Sequence, residues 1–253
     1  MRMHFLSGGR LRMRASVFEA DAAPDAQLEL PVLCALLRHP QGNVLFDTGC
    51  HPSVIGGAET RWGGMAKFMT PIGRAEENAI DELGSIGFSA DDVDVVVCSH
   101  LHPDHCGCNG LFGRATIICH RRELEAARAS GSERAGYLRV EWDHSRPSML
   151  IDGEHDLFGD GRIVLLPMTG HTPGLICALV TLDRDGCFFL ASDAVSLRAN
   201  LDLDHAPRNT WDVDLQLRSF GEIRRIEARG VEIICGHDAA QWRGLRKGRR
   251  WYE

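Results

Sequence analysis

The sequence predicts an α/β fold in which the loops after several strands converge on one polar site. Three observations lead there. Short apolar runs of strand length alternate with segments of helical period. Four of those runs lead, directly or after a short turn, to a small residue and then a histidine or aspartate. These are Val96-Val97-Cys98 before Ser99-His100, Ile163-Val164-Leu165-Leu166 before Thr169-Gly170-His171, Cys187-Phe188-Phe189-Leu190-Ala191 before Ser192-Asp193, and Ile233-Ile234-Cys235 before Gly236-His237. The first and last echo one another, as two halves of a sandwich facing a shared site would. In α/β sheets, ligands collect beyond the carboxyl ends of the strands.

Composition narrows the class. A chain of 253 residues that is 44% apolar can bury a substantial core, and one domain spanning 1–253 is expected. The net charge of -7 argues against a nucleic-acid partner, which calls for a basic face. The nine cysteines are odd in number and form no CxxC pair, so reduced thiols in a cytoplasmic protein are expected. Gly8 and Gly9 interrupt the N-terminal apolar residues before a signal-peptide region forms, and no run approaches the ~20 apolar residues of a membrane span.

Along the chain, Leu11 to Glu19 and Leu28 to Arg38 read as strands, and Pro40-Gln41-Gly42-Asn43 is a hairpin turn. Asn43 to Gly49 is a short strand ending in a polar turn at Asp47. The segment from His51 to Pro71 is irregular, with Trp62, Met65, Phe68 and Met69 among glycines. Such a segment covers a substrate, forms a subunit contact in a homodimer, or packs on its own domain. Phe68 is its candidate substrate contact. Glu76 to Ile86 has helical period through Ala79, Ile80, Leu83 and Ile86, and Gly87 closes it. A strand covers Val93 to Cys98.

Ala115 to Cys119 is a strand and Arg121 to Ser130 a helix, with His120 at their junction. Gly136 to His144 has no clear period; its Tyr137 and Trp142 suit a pocket wall or a surface loop equally. Strands recur at Met149–Ile151, Arg162–Leu166, Leu175–Leu182 and Cys187–Ala191. A helix from Asp212 to Ala228 presents Leu215, Leu217, Phe220, Ile223 and Ile226, and Val231 to Cys235 is the last strand. The basic stretch from Arg243 to Arg250 reads as a solvated tail.

The chemistry is concentrated in Ser99-His100-Leu101-His102-Pro103-Asp104-His105. On an extended chain His100 and His102 point the same way, and Asp104 and His105 follow a turn at proline. Two imidazoles face one metal ion, and a carboxylate and an imidazole face a second. Packed imidazoles repel once charged, so such a group calls for a metal or a pH switch. His171, Asp193 and His237 are weak signals singly. Together with the first cluster they make five imidazoles and two carboxylates, enough for two divalent ions. Asp47 suits three roles: a ligand, an acceptor that orients a ligand histidine from behind, or a turn-forming carboxylate. The nearby Cys106 and Cys108 offer either thiolate ligands or small side chains for a tight space.

These residues resemble the metallo-β-lactamase superfamily of hydrolases, whose His-x-His-x-Asp-His motif stands at His100, His102, Asp104 and His105. Leu30-Pro31-Val32, Phe46-Asp47-Thr48-Gly49, Gly170-His171-Thr172-Pro173-Gly174, Ser192-Asp193-Ala194 and Gly236-His237-Asp238 are similar to the N-acyl-homoserine lactonase and 4-pyridoxolactonase group within it. The resemblance implies an αβ/βα four-layer sandwich. It implies one metal on His100, His102 and His171, a second on Asp104, His105 and His237, and Asp193 bridging them. Two positions depart from the pattern. Leu175 replaces a histidine, and Ser196 stands where the lactonases carry a substrate-contacting tyrosine, so Ser196 is expected at the pocket rim with Tyr137 as a further candidate contact.

The expected reaction is opening of a lactone by a hydroxide bridging two divalent ions, with zinc favoured by the histidine-rich ligands. Asp104 is the expected proton donor to the leaving oxygen. The implied partner is a small-molecule substrate, with no nucleic acid and no membrane. Two alternatives stay open. A glyoxalase-II-like thioesterase usually carries a further helical domain, whereas this chain ends soon after His237. A non-catalytic metal-binding protein would keep the same fold.

Overall fold

Period-two alternation of apolar side chains sorts the strands into two sheets whose inner faces meet. The computed structural model describes residues 1–144 and 148–253. Its first sheet contains β1 (Arg2–Arg14), β2 (Gln27–His39), β3 (Gly42–Phe46), β4 (Thr70–Ile72), β5 (Val95–Val97), β6 (Thr116–His120) and β7 (Ser148–Ile151), in the order β4-β1-β2-β3-β5-β6-β7. The second contains β8 (His155–Asp156), β9 (Ile163–Pro167), β10 (Ile176–Thr181), β11 (Cys187–Ser192) and β12 (Glu232–Cys235), in the order β12-β11-β10-β9-β8. On β2, Leu33, Ala35 and Leu37 face the second sheet while Cys34 and Leu36 face away. On β11, Phe188 and Leu190 face the first sheet while Phe189 and Ala191 face away. Each buried leucine or phenylalanine here stabilises by ~1.5–3 kcal/mol, which makes this inner layer the main apolar core.

The outward faces are covered by helices. The α-helices among the described residues are α1 (Ala58–Trp62), α2 (Ala79–Ser85), α3 (Pro103–Cys106), α4 (Arg121–Arg128), α5 (Arg139–Trp142), α6 (Arg198–Asp202), α7 (Val213–Glu227) and α8 (Ala239–Gly244). Ala79 and Leu83 of α2 and Ala127 of α4 pack with Leu36, Leu45 and Val96 of the first sheet. Phe220 and Ile223 of α7 pack with Cys177, Phe189 and Ile233 of the second. Helix, sheet, sheet and helix make the four-layer αβ/βα sandwich. Caps set the helix starts: Asn78 accepts from the amides of Ile80 and Asp81, and Asp212 accepts from that of Leu215.

Several boundaries correct the sequence expectations. The first strand spans Arg2 to Arg14 rather than Leu11 to Glu19. Gly8 and Gly9 do not break it. They form an irregularity between Ser7 and Arg10 where a second backbone segment approaches closely. A Cβ on Gly49 would lie 2.3 Å from Gly8 Cα, and the Cys50 amide donates to the Gly8 carbonyl at 2.8 Å. β8, two residues long, had no sequence signal.

The segment from His51 to Pro71 folds largely onto its own domain. It includes α1, and Trp62 is only 3% exposed among Phe18, Leu30 and Val54. Of its large apolar side chains Phe68 is the exposed one, at 72% exposure. Gly136 to His144 contains α5, whose Glu141 is fully buried and accepts from Trp62 Nε1 at 2.7 Å and from both arms of Arg61 at 2.7 and 2.8 Å. The basic stretch is not a free tail. Part of it lies in α8, Lys247 bridges to Phe5, and Arg246 grips Asp185 while its guanidinium lies over the Tyr252 ring. Buried Leu245 and Tyr252 anchor it in the inner layer.

Gly49→Ala is expected to destabilise the protein by ~2–4 kcal/mol, because φ is +71° and the added carbon meets backbone that cannot yield. Denaturant unfolding of the two proteins measures this.

Candidate metal centre

Every donor in the site stands just past the end of a strand or in the turn beyond it. Asp47 follows β3, Ser99 and His100 follow β5, and His102 leads into α3, which carries Asp104 and His105. His171 lies between β9 and β10, Asp193 follows β11, and His237 follows β12. All except His102 are buried. Three sets of donors form: His100, His102 and His171; His100, His105 and Asp193; and Asp104, His105 and His237, each with its donor atoms within 4.8 Å of one another. His102 Nδ1 lies 3.1 Å from both His100 Nε2 and His171 Nε2, and His105 Nε2 lies 3.3 Å from His237 Nε2. Asp193 divides its oxygens: Oδ2 is 3.3 Å from His171 Nε2, while Oδ1 is 3.4 Å from His105 Nε2 and 3.0 Å from His237 Nε2.

The outer ring nitrogens of four of the five histidines are pinned by fixed oxygens. His100 Nδ1 donates to Ser99 Oγ at 3.0 Å, His102 Nε2 to the Ala135 carbonyl at 2.9 Å, His105 Nδ1 to Asp47 Oδ2 at 2.8 Å and His237 Nδ1 to the Pro31 carbonyl at 2.9 Å. A histidine that donates through one nitrogen turns the lone pair of the other inward. His171 Nδ1 and Asp193 Oδ1 are buried without a hydrogen-bond partner. Lone pairs that converge on common points and leave a buried carboxylate oxygen unbonded fit divalent cations better than they fit one another.

Charge divides the cluster in two. Burial, reinforced by His105 and His102, holds His100 well below the ordinary histidine range, and burial takes His171 down to about 3. Burial also works against charge on His105, but Asp104, Asp193 and Asp47 outweigh it and raise its pKa. His237 is raised despite burial, by Asp193 and then Asp104. Asp193 is held well below the usual carboxylate range because His237, His105 and His171 outweigh its own burial.

Comparison with known proteins agrees with this geometry. The sequence pattern of the metallo-beta-lactamase superfamily matches residues 28–237. The chain belongs to the metallo-beta-lactamase superfamily. Within it, the relatives are lactonases by name. N-acyl homoserine lactonase AttM of Azorhizobium caulinodans is 29% identical, with 100% of this chain and 99% of that protein covered. N-acyl homoserine lactonase AiiB of Agrobacterium fabrum is 32% identical over 87% of this chain and 84% of its own. A solved N-acyl homoserine lactone hydrolase with the product N-hexanoyl-L-homoserine at its catalytic metal center is 27% identical. It superposes with a TM-score of 0.89 over 99% of this chain and 98% of that one.

Set on this superfamily framework, the seven donors named from the sequence do converge. Asp47 lies behind them, with its carboxylate on the far ring nitrogen of His105. Cys106 is buried among apolar neighbours and belongs to none of the donor sets, so it is a small packing side chain. Leu175, where a histidine was the family pattern, is fully buried under α7. Ser196 corrects an expectation. It is 1% exposed with its hydroxyl unpartnered, not at a rim, because it follows Asp193 directly into the packed interior and its carbonyl accepts from the His237 amide.

Tyr137 does border the site, its ring 5.4 Å from that of His102. Its buried hydroxyl faces Glu123, and burial followed by that charge raises its pKa. A cavity of about 470 Å³ opens beside His102 and His171, with Tyr137 and Trp211 in its wall. Phe68 lies outside it, on an adjoining hollow.

Sequence reasoning missed Glu123. It is fully buried, and its carboxylate accepts from the Leu101 amide and the Gly174 amide, each at 3.0 Å. Leu101 lies between His100 and His102, and Gly174 lies in the loop of His171, so one carboxylate ties together the two loops of a donor set. A carboxylate in the first turn of an amphipathic helix gives no sequence signal for this. A Cβ on Gly174 would lie 2.3 Å from the Glu123 nitrogen, which is why glycine stands there. Also missed were Gln216 and Ser219 on the buried face of α7. They donate to the carbonyls of Ala194 and Thr169 at 2.7 Å, next to Asp193 and His171.

Glu123→Ala is expected to cost ~2–4 kcal/mol in stability, since it strands two buried amides, whereas Glu123→Gln, which keeps an acceptor oxygen, costs less. Denaturant unfolding of both variants separates the two.

Proposed function

We propose that the chain is a lactonase, hydrolysing the cyclic ester of N-acyl-homoserine-lactone-like small molecules with two divalent metal ions, zinc in preference. His100, His102 and His171 would hold one ion, Asp104, His105 and His237 the other, and Asp193 both. The observation that carries this reading is the division of the Asp193 oxygens between the two groups of histidines. Full-length relatives named as lactonases support the substrate class. The thioesterase and the non-catalytic alternatives have no comparable support.

When bound, such a pair of ions supplies water acidified towards a pKa of ~7 and a Lewis acid for the ester carbonyl. The chain's own residues do the rest. Asp47 and Ser99 fix the rings of His105 and His100, and Glu123 fixes the loops that carry His102 and His171. Asp104 Oδ2, 3.5 Å from His105 Nε2 and 3.6 Å from His237 Nε2, is the group to pass a proton to the departing alkoxide. The cavity beside His102 and His171 is of small-ligand size and takes the ring. Nine free thiols support a cytoplasmic setting. No helix among the described residues is long and apolar enough to cross a membrane.

Elemental analysis of protein purified without chelator should approach two metal equivalents per chain, and His105→Ala should lower metal content and activity together. Saturation at one equivalent would sink the dinuclear reading.

In a parallel panel, an N-acyl homoserine lactone should give a higher kcat/KM than S-lactoylglutathione. Asp193→Ala should lose several orders of magnitude, while Ser196→Ala should lose less than about tenfold, or ~1.4 kcal/mol. A thioester preference, or equal losses at the two positions, would overturn the assignment.

A further inference from the structure

The strand β1 ends in Arg10-Leu11-Arg12-Met13-Arg14. Alternation puts Arg12 and Arg14 on one face of it. Their cross-strand neighbours on β2 are Glu29 and Gln27. Arg12 is therefore matched by a carboxylate, at 2.8 Å, and Arg14 is not. Lys67 and Arg208 arrive at the same place from distant parts of the chain, and together the four cations line a hollow of about 570 Å³. Among the described residues no carboxylate lines it. Among the described residues Arg14, Lys67 and Arg208 stand in no ion pair. In a chain of net charge -7, positive charge gathered without its counter-charge around a concavity makes a local field that selects anions.

The hollow adjoins the proposed reaction site. Arg208 lines both it and the cavity that holds His102 and His171. The Arg208 backbone is fixed by its amide, which donates to the Val17 carbonyl at 2.7 Å, and Asn200 of α6 donates to the neighbouring Phe18 carbonyl at 2.8 Å. Val17 and the exposed ring of Phe68 give the hollow an apolar wall. A ligand lying across Arg208 would have the donor cluster on one side of it and, on the other, the apolar wall and the unpaired cations Arg14 and Lys67.

We propose that this hollow receives an anionic group at the far end of the substrate, so that the preferred substrates are lactones whose acyl chain ends in a carboxylate. The inference rests on the lactonase reading and deepens it. Guanidinium groups suit a carboxylate through their paired donors. Each exposed charge contact is weak and screened by salt, so the effect needs several cations acting together and fades with ionic strength. Because the anion is remote from the ester, the preference should reside in KM and leave kcat nearly level.

The test uses pairs of N-acyl homoserine lactones of equal chain length, one ending in a methyl group and one in a carboxylate, over a series of lengths. At low salt the metal-loaded enzyme should favour the carboxylate member by about tenfold in kcat/KM at the best length, with the ratio falling towards one at high salt. The double variant Arg14→Gln, Arg208→Gln should bring the ratio towards one at low salt. Equal kcat/KM within every pair, or a ratio that the double variant leaves untouched, would falsify the proposal.

Calorimetric binding of the matching ring-free amides, carboxylate-ended against methyl-ended, to both proteins is measured alongside. If neither lactone is opened, the lactonase reading fails. The hollow is then judged by these amides alone: selective binding that the double variant abolishes upholds it, and equal binding overturns it.

Discussion

The carboxylate of Asp47 is the interaction on which the site depends. Buried at the end of β3, it accepts from the Ser99 amide at 2.7 Å, from Ser99 Oγ at 2.8 Å and from His105 Nδ1 at 2.8 Å. Ser192 Oγ, at the end of β11 in the other sheet, lies 3.2 Å away and also contacts Ser99 Oγ at 2.8 Å. One side chain therefore fixes the exits of strands from both sheets. A buried anion needs such partners, since an unpaired one would be strongly destabilising. The same need that satisfies Asp47 aims His105 and, through Ser99, His100.

Around this anchor the cluster is built to exchange protons for cations. His105 and His237 are drawn towards the protonated state by Asp104 and Asp193, while His100 and His171 are kept neutral by burial. A divalent ion entering among them would relieve the repulsion between facing imidazoles and take over the role that protons play beside the carboxylates. Cys106 and Cys108 do not compete as thiolates, because burial raises both thiols.

What was legible in the sequence was whatever chemistry leaves a local mark. Apolar runs of strand length at β2, β3, β10 and β11 announced the strands, and histidines two apart after an apolar run announced the donors. What was not legible depends on contacts between distant segments. The strand's start at Arg2, ahead of Gly8 and Gly9, went unread because the partner of these glycines, Gly49, lies far along the chain. Arg243 to Arg250 read as solvated because Asp185 and Tyr252, which hold Arg246, leave no periodic trace. Glu123 looked like an ordinary carboxylate of a helix's first turn, and Ser196 looked accessible by analogy with a longer side chain. In each case tertiary packing, and not local propensity, decided the outcome.

Asp47 and Ser192 share one further property. Their φ angles are +57° and +46°, a backbone region that glycine adopts freely and most residues avoid. Evolution therefore faces opposing pulls at both positions. Glycine would relieve the main chain but delete the acceptor that aims His105, or the hydroxyl that joins the two sheets' loops. Glycine at 47 would also strand the buried Ser99 amide and hydroxyl, so the relief of the main chain would be outweighed by donors left without an acceptor. The strain at these two positions is thus the cost of setting an acceptor and a hydroxyl beside the donors on main chain that suits glycine.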